Sequence, residues 1–290
     1  MANTTALKRR IGSVKNTRQI TKAMELVAAS KMKKAQEQAQ ATRDYRISAQ
    51  GILSRLAGIS DVSINPLFVV RKTKVHLAVV ITSDLGLAGG YDGSVLKKIT
   101  SVIEENDKNK VKTIVVSVGR KGGQFLSRLK EITMASAYGM FSNQPTPADI
   151  RPIITDILRR YEEKNIDKAS IIYTEFISNL NQEVRVLDLL PAVVEKEQEV
   201  SPLEVAIFEP SIDEIVEDAV LRLVEVQVWQ SLLESLASEY SMRMVAMKNA
   251  SDNAKDIIDD LTLEYNTARQ AAITQEIAEI VGGAEAVKQD

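Results

Sequence analysis

Two glycine-rich runs are the first places to look for chemistry in this sequence: Ser83-Asp84-Leu85-Gly86-Leu87-Ala88-Gly89-Gly90 and Gly119-Arg120-Lys121-Gly122-Gly123. Each follows a strand-like segment, and loops at the carboxyl ends of parallel strands are where α/β folds bind ligands. Neither run has the spacing of a phosphate-binding or dinucleotide-binding loop. Tight turns are therefore the expected use of these glycines. Asp84 has no identifiable partner for acid–base work. With no Cys and a single His, the chain cannot build a zinc cluster, a disulfide scaffold or a Cys/His pair. His76 falls inside a strand-like run and is expected to be packed rather than reactive. No catalytic residue, cofactor or metal site is expected.

The elements that carry these loops are set by where glycine and proline fall. Neither occurs from Ser13 to Gln50 or from Ser211 to Val281, and all prolines lie between Pro66 and Pro210. Because these two residue types interrupt helices, two long helices are predicted to flank a mixed middle. At 1.5 Å per residue the C-terminal one would reach about 105 Å, twice the diameter of roughly 50 Å of a compact chain of this length. It is expected to project as a rod. Ser211 with Glu214 reads as a capping box at its start, and Gly282-Gly283 as its stop.

A seam of Trp229, Leu233, Leu236, Tyr240, Met244, Met247, Ser251, Ala254, Ile258, Leu261, Tyr265, Ala268 and Ala272 follows the helical period. The N-terminal helix has a similar stripe in Leu7, Ile11, Val14, Thr17, Thr21, Met24, Ala28, Met32, Ala35 and Ala39. Residues 1–50 carry 11 basic and 3 acidic side chains, and residues 211–290 carry 6 and 16. The helices are thus electrostatic complements and are expected to pair antiparallel. Lys31, Lys33 and Lys34 would suit phosphate contacts on a nucleic acid, but the acidic helix competes for them. Pairing fifty residues with fifty leaves about the last thirty of the longer helix without an internal partner. There Leu263, Ile273, Ile277, Ile280 and Val281 fall all round the helix. A helix apolar on every side must be buried, so a sleeve of other subunits is implied.

Between the rods, strand-like runs at 75–82, 111–118, 132–138, 169–176 and 184–190 alternate with helical patterns at 92–106, 122–130 and 148–164. This order predicts an α/β domain with a mainly parallel sheet, helices on both faces and a closing hairpin. The segments around 65–71 and 196–210 would connect it to the rods. The expected divisions are 1–60, 70–200 and 211–290. No run approaches the roughly 18 to 20 apolar residues that cross a bilayer, and residues 1–34 lack the pattern of a secretory signal. Membrane association is expected only through partners.

The run from Arg10 to Met32, RIGSVKNTRQITKAMELVAASKM, resembles the N-terminal signature of the gamma-subunit family of rotary ATP synthases. Ser238-Glu239, Arg243-Met244, Leu261-Thr262-Leu263, Arg269-Gln270-Ala271 and Glu279-Ile280-Val281-Gly282-Gly283-Ala284 resemble its C-terminal one. Val80-Ile81-Thr82-Ser83-Asp84, Gly86-Leu87 and Gly89-Gly90-Tyr91 are similar to its central motif. Leu85 and Ala88 stand where the family usually has Arg and often Cys, and no insert with paired cysteines offers the thiol switch of chloroplast relatives.

The resemblance implies an antiparallel coiled coil acting as central shaft inside a hexameric ring of alpha and beta subunits. The α/β domain would lie outside the ring, near the epsilon subunit and the membrane c-ring, with one copy per complex. A non-catalytic, torque-transmitting role follows, at the cytoplasmic side of a bacterial cell membrane. It further implies that Arg269, Gln270 and Thr274 engage a loop of a beta subunit and that Met24 and Lys22 face its acidic lever region, although Met24 also fits the seam. Two alternatives stand beside this one: an α/β nucleotide-binding enzyme with a helical oligomerisation arm, and a nucleic-acid-binding coiled coil.

Overall fold

Proline-free ends and β-branched runs between them give five α-helices and five strands in the computed structural model, which describes residues 2–59, 66–139, 145–179, 181–192 and 212–287. The order is α1 (Ala2–Ile59), a 3-10 turn (Pro66–Phe68), β1 (Val75–Ile81), α2 (Tyr91–Lys108), β2 (Lys112–Val118) and α3 (Arg120–Leu126). Then follow β3 (Ile132–Tyr138), α4 (Pro147–Glu162), β4 (Lys168–Phe176), β5 (Gln182–Leu190) and α5 (Ile212–Val287). The chain divides into two compact units, residues 29–242 and a second formed by residues 1–28 with 243–290.

In the first unit the sheet runs β3-β2-β1-β4-β5, parallel except for the antiparallel pair of β4 with β5. Alternation along β1 sends Leu77, Val79 and Ile81 to one face and Ala78 and Val80 to the other. On the second face α2 lays down Val95, Ile99 and Ile103 at helical spacing, joined by Leu126 of α3. The first face is covered by α4, through Ile150, Ile153, Ile154 and Ile157, and by α5, through Val220, Leu223, Val224, Val228, Leu232 and Leu236. Helices therefore lie on both faces, as expected. The Asp149 carboxylate accepts from the Thr146 N–H at 2.7 Å and so closes the first turn of α4. Within this unit α1 and α5 run antiparallel: Lys31 meets Tyr240, and further along α1 Arg43 meets Glu234.

In the second unit α1 buries Leu7, Thr21 and Ala28, and α5 buries Met247, Ser251, Ala254, Ile258 and Leu261, each set at helical spacing. Beyond Leu261 the described side chains of α5 are exposed or half-buried. The expected stop at Gly282-Gly283 is not used, since α5 continues to Val287. Glycine weakens a helix interior by about 1 kcal/mol but does not forbid it. The capping residue Ser211 and the connection at 196–210 lie outside the described residues.

Candidate functional site

The two glycine-rich loops follow β1 and β2 at their carboxyl ends, and in the second loop Gly119 and Gly122 serve close packing. A Cβ on Gly119, whose φ is +97°, would lie 2.1 Å from the Thr82 carbonyl oxygen. One on Gly122 would lie 2.6 Å from Thr82 Oγ1. The successive N–H groups of residues 120–122, which could cradle a phosphate, are already bonded within the chain. Arg120 N–H donates to Asp84 Oδ1 at 2.8 Å, Lys121 N–H to the Ser83 carbonyl at 3.0 Å and Gly122 N–H to Thr82 Oγ1 at 2.9 Å. Asp84 also pairs with the Arg120 side chain at 3.6 Å. Opposite them, Ser83 donates through N–H and Oγ to the two oxygens of Asp92, at 2.9 and 2.7 Å. Leu85, at the first departure from the family pattern, is exposed, while Ala88 at the second is buried.

His76 is packed, as expected. Asn106 Nδ2 donates to its Nδ1 at 2.9 Å, which leaves Nε2–H to donate to Ser170 Oγ at 2.7 Å. Burial, then the Lys168 charge, lowers its pKa below the ordinary value.

In a doubly wound sheet the ligand crevice opens where strand order reverses, here between β1 and β4. α5 fills it. Every residue from Ser231 to Glu239 is buried, among them Ser235 and Ser238 against Thr174 of β4. Tyr91, the first residue of α2, is buried at the same place, its phenol pushed well above the ordinary pKa by burial and then by the Glu239 carboxylate. Sequence periodicity treated α5 as a shaft helix with one seam and missed this second contact. The available signal was Ser231, Ser235, Ser238 and Ser241, spaced three or four residues apart on one helix face.

Where α1 crosses α5 in this unit, the buried Glu234 accepts from Gln230 Nε2 at 2.6 Å and from Arg43 Nη2 at 3.3 Å. Burial, then the charges of Glu234 and Glu175, push the Tyr173 phenol up to about 12. Lys31, proposed above for phosphate, lies 5.4 Å from the centroid of the Tyr240 ring, and Lys33 pairs with Glu37 at 4.0 Å.

Of the expected seam residues, Leu233, Leu236, Met247, Ile258 and Leu261 are buried, and Ile11, Val14, Tyr240 and Met244 are half-buried. Leu236 belongs to the same buried cluster as Leu77 and Val79 of β1, so the seam and the sheet core merge there. Among the residues assigned to beta-subunit contact, Arg269, Gln270 and Thr274 are exposed on α5. Met24 is half-buried on α1, and the exposed Lys22 pairs with Glu25 at 2.9 Å. Around and beyond them stand uncovered apolar side chains: Ile20 61%, Leu26 61%, Val27 55%, Leu263 71%, Ile277 56% and Ile280 71% exposed. Among the described residues no helix is long and apolar enough to cross a membrane, and no group of His, Asp and Glu is placed to hold a metal.

The family profile described as ATP synthase matches residues 3–287. The ATP synthase gamma chain of Desulfitobacterium hafniense is 43% identical over 288 residues, spanning 99% of this chain and 100% of its own. That of Geobacter metallireducens is 40% identical over 289 residues with the same coverage. In solved structures, a chain of the Tetrahymena thermophila mitochondrial ATP synthase central stalk and c-ring is 25% identical, with a TM-score of 0.63 over 80% of this chain and 99% of that one. A chain of the Euglena gracilis mitochondrial ATP synthase, in an assembly of OSCP, F1 and c-ring, shares the fold at 18% identity, with a TM-score of 0.70 over 99% and 95%. With a family profile matching residues 3–287 and relatives of 40% identity or more over 99% of its length, this chain belongs to the ATP synthase gamma-chain family.

Proposed function

We propose that the chain is the central-stalk subunit of a proton-translocating ATP synthase. It carries torque between the membrane c-ring and the hexameric ring of alpha and beta subunits, with the epsilon subunit against its α/β domain. The observation that carries this reading is the uncovered apolar surface of α5 between Leu263 and Val281, which nothing in its own unit buries. An apolar patch of this kind marks a protein interface. Arg269, Gln270 and Thr274 lie on the same exposed stretch and are assigned to a loop of one beta subunit, a guanidinium favouring a carboxylate partner there. Met24 and Lys22 are assigned to the acidic lever region of beta, where Lys22 would exchange Glu25 for the beta carboxylates.

The chain itself is non-catalytic in this reading. A shaft alters catalytic sites only by touching their open and closed states unequally, since equal contacts shift no equilibrium. Two helices over part of the shaft and one over the rest give it that inequality. Membrane attachment runs through partners, on the cytoplasmic face of a bacterial cell membrane. The nucleotide-enzyme alternative is disfavoured, because the N–H groups of Arg120, Lys121 and Gly122 are bonded within the chain and α5 fills the crevice.

Affinity purification through a tag on this chain, followed by native mass spectrometry, tests the proposal. One copy with alpha, beta and epsilon partners, and no ATPase activity from the purified chain alone, is the expected result. Robust turnover by the isolated chain would overturn it.

A further inference from the structure

The strand order creates an opening that α5 enters. β1 pairs with β4 only as far as Val80 opposite Ile172, whereas β4 runs on to Phe176. Past Ile172, β4 keeps β5 on one side, with Thr174 opposite Val184. A strand residue points its N–H and C=O toward the same edge, so Thr174 turns both toward the side that β1 has left. Both are met by α5. The Thr174 N–H donates to Ser235 Oγ at 3.1 Å, and its C=O accepts from Ser238 Oγ at 3.2 Å. One turn further, the Ser241 hydroxyl donates to the Asn179 carbonyl at 3.1 Å and accepts from Gln182 Nε2 at 3.3 Å. Residues three apart share a helix face, so these three serines form one edge that replaces the missing strand.

We propose that Ser235, Ser238 and Ser241 are positioning residues that key α5 to the sheet at a fixed rotation, so that a twisting load passes between them without the helix rolling. Apolar packing is non-directional and opposes separation more than roll. Hydrogen bonds to a fixed backbone weaken steeply as their angle degrades, so they oppose roll. The buried peptide groups of Thr174 have no water to turn to, which makes the keyed orientation the satisfied one. This inference rests on the chain's role as the torque-bearing stalk.

The test is the assembled synthase in sealed vesicles carrying Ser235→Ala/Ser238→Ala, read by ATP hydrolysis without a gradient and by protons pumped per ATP. Ser231→Ala is the control, because its buried hydroxyl bonds only the Gln227 carbonyl of its own helix. The double variant should hydrolyse ATP within about two-fold of the parent and pump at least about three-fold fewer protons per ATP, while the control keeps both. An unchanged pumping ratio in the double variant, or an equal fall in the control, overturns the proposal. Should the double variant fail to assemble, Ser241→Ala decides, since it leaves both Thr174 bonds in place: a fall of about 1.5-fold or more in the ratio supports the key, and no change removes it. Proton pumping coupled to ATP hydrolysis by a complex assembled without this chain would instead overturn the torque reading itself.

Discussion

Two stretches of α5 invert the usual relation between polarity and burial. From Ser231 to Glu239 the helix carries Ser231, Glu234, Ser235, Ser238 and Glu239, and all of them are buried. Between Leu263 and Val281 it carries Leu263, Ile273, Ile277, Ile280 and Val281, and all are exposed. In the first stretch most polar side chains have specific partners: Ser235 and Ser238 the Thr174 backbone, Ser231 the Gln227 carbonyl, and Glu234 both Gln230 and Arg43 through Oε1, while Glu234 Oε2 has no hydrogen-bond partner among the described residues. The second is uncovered because nothing in its unit packs on it. Burial along this helix thus reports which partner is present, and the apolar end reports one that is supplied from outside the chain.

If the sheet unit is held by close, directional packing, its tightest point should tolerate least. Gly119 combines a φ of +97° with the 2.1 Å approach to Thr82. Gly119→Ala should cost about 4 kcal/mol of stability, adding backbone strain to an overpacked contact. Urea unfolding followed by the fluorescence of Trp229, the single tryptophan, measures it.

The two stretches of α5 can be set against each other directly. Leu236→Ala should cost about 3 kcal/mol, since it opens a cavity in the cluster shared with β1. Ile277→Ala should change the same unfolding curve by less than about 0.5 kcal/mol, yet weaken assembly into the synthase complex, with alpha and beta as the proposed partners, by about ten-fold. Equal losses of chain stability at both positions would dissolve the contrast.

Much of this architecture was legible because it rests on local pattern. Runs such as 111–118, with Val111, Thr113, Ile114, Val115, Val116 and Val118, read as strands from β-branched residues, and the two long helices read from missing glycines and prolines. The packed His76 followed from one imidazole inside such a run. What was illegible depends on distant partners. Ser235 and Ser238 are small and polar, which suggests a surface, but their acceptor and donor are the backbone of Thr174, more than sixty residues earlier. The seam through Leu236 could not reveal that the opposite side of the same helix is also covered. Gly282-Gly283 looked like a stop because glycine is common at helix ends, although helical geometry remains open to it.

Glycine sharpens the comparison in the opposite direction in the unit of residues 1–28 and 243–290. Gly12 lies within α1, and a Cβ there would meet nothing within 4 Å. Gly12→Ala should therefore stabilise the isolated chain by about 1 kcal/mol, by restricting the unfolded backbone and raising helix propensity. Thermal unfolding by circular dichroism should show the gain, in contrast to the loss at Gly119.

The smallest expected effect is a pH dependence confined to the sheet unit. His76 is neutral in the fold, with Nδ1 accepting from Asn106 and Nε2–H donating to Ser170. Protonation would remove the acceptor and place a charge in a buried site beside Lys168, so the folded pKa lies below the unfolded value of 6.5. Between the two values the unfolded chain binds more protons, and stability rises with pH. This contribution is fully present above pH 6.5 and is lost as pH falls below it toward the folded value. At pH 6 the loss is bounded at about 0.8 kcal/mol, the binding free energy of one proton to an unfolded imidazole. Urea midpoints taken from pH 7.5 down to about 5.5, above the range where carboxylates titrate, should fall in the parent and stay level in His76→Gln. A parent curve as flat as that of the variant would mean that the Asn106 and Ser170 contacts do not hold the imidazole neutral. His76, whose packing, unlike the surface of α5 beyond Leu261, is supplied by its own chain, would then add nothing to the pH dependence of the sheet unit.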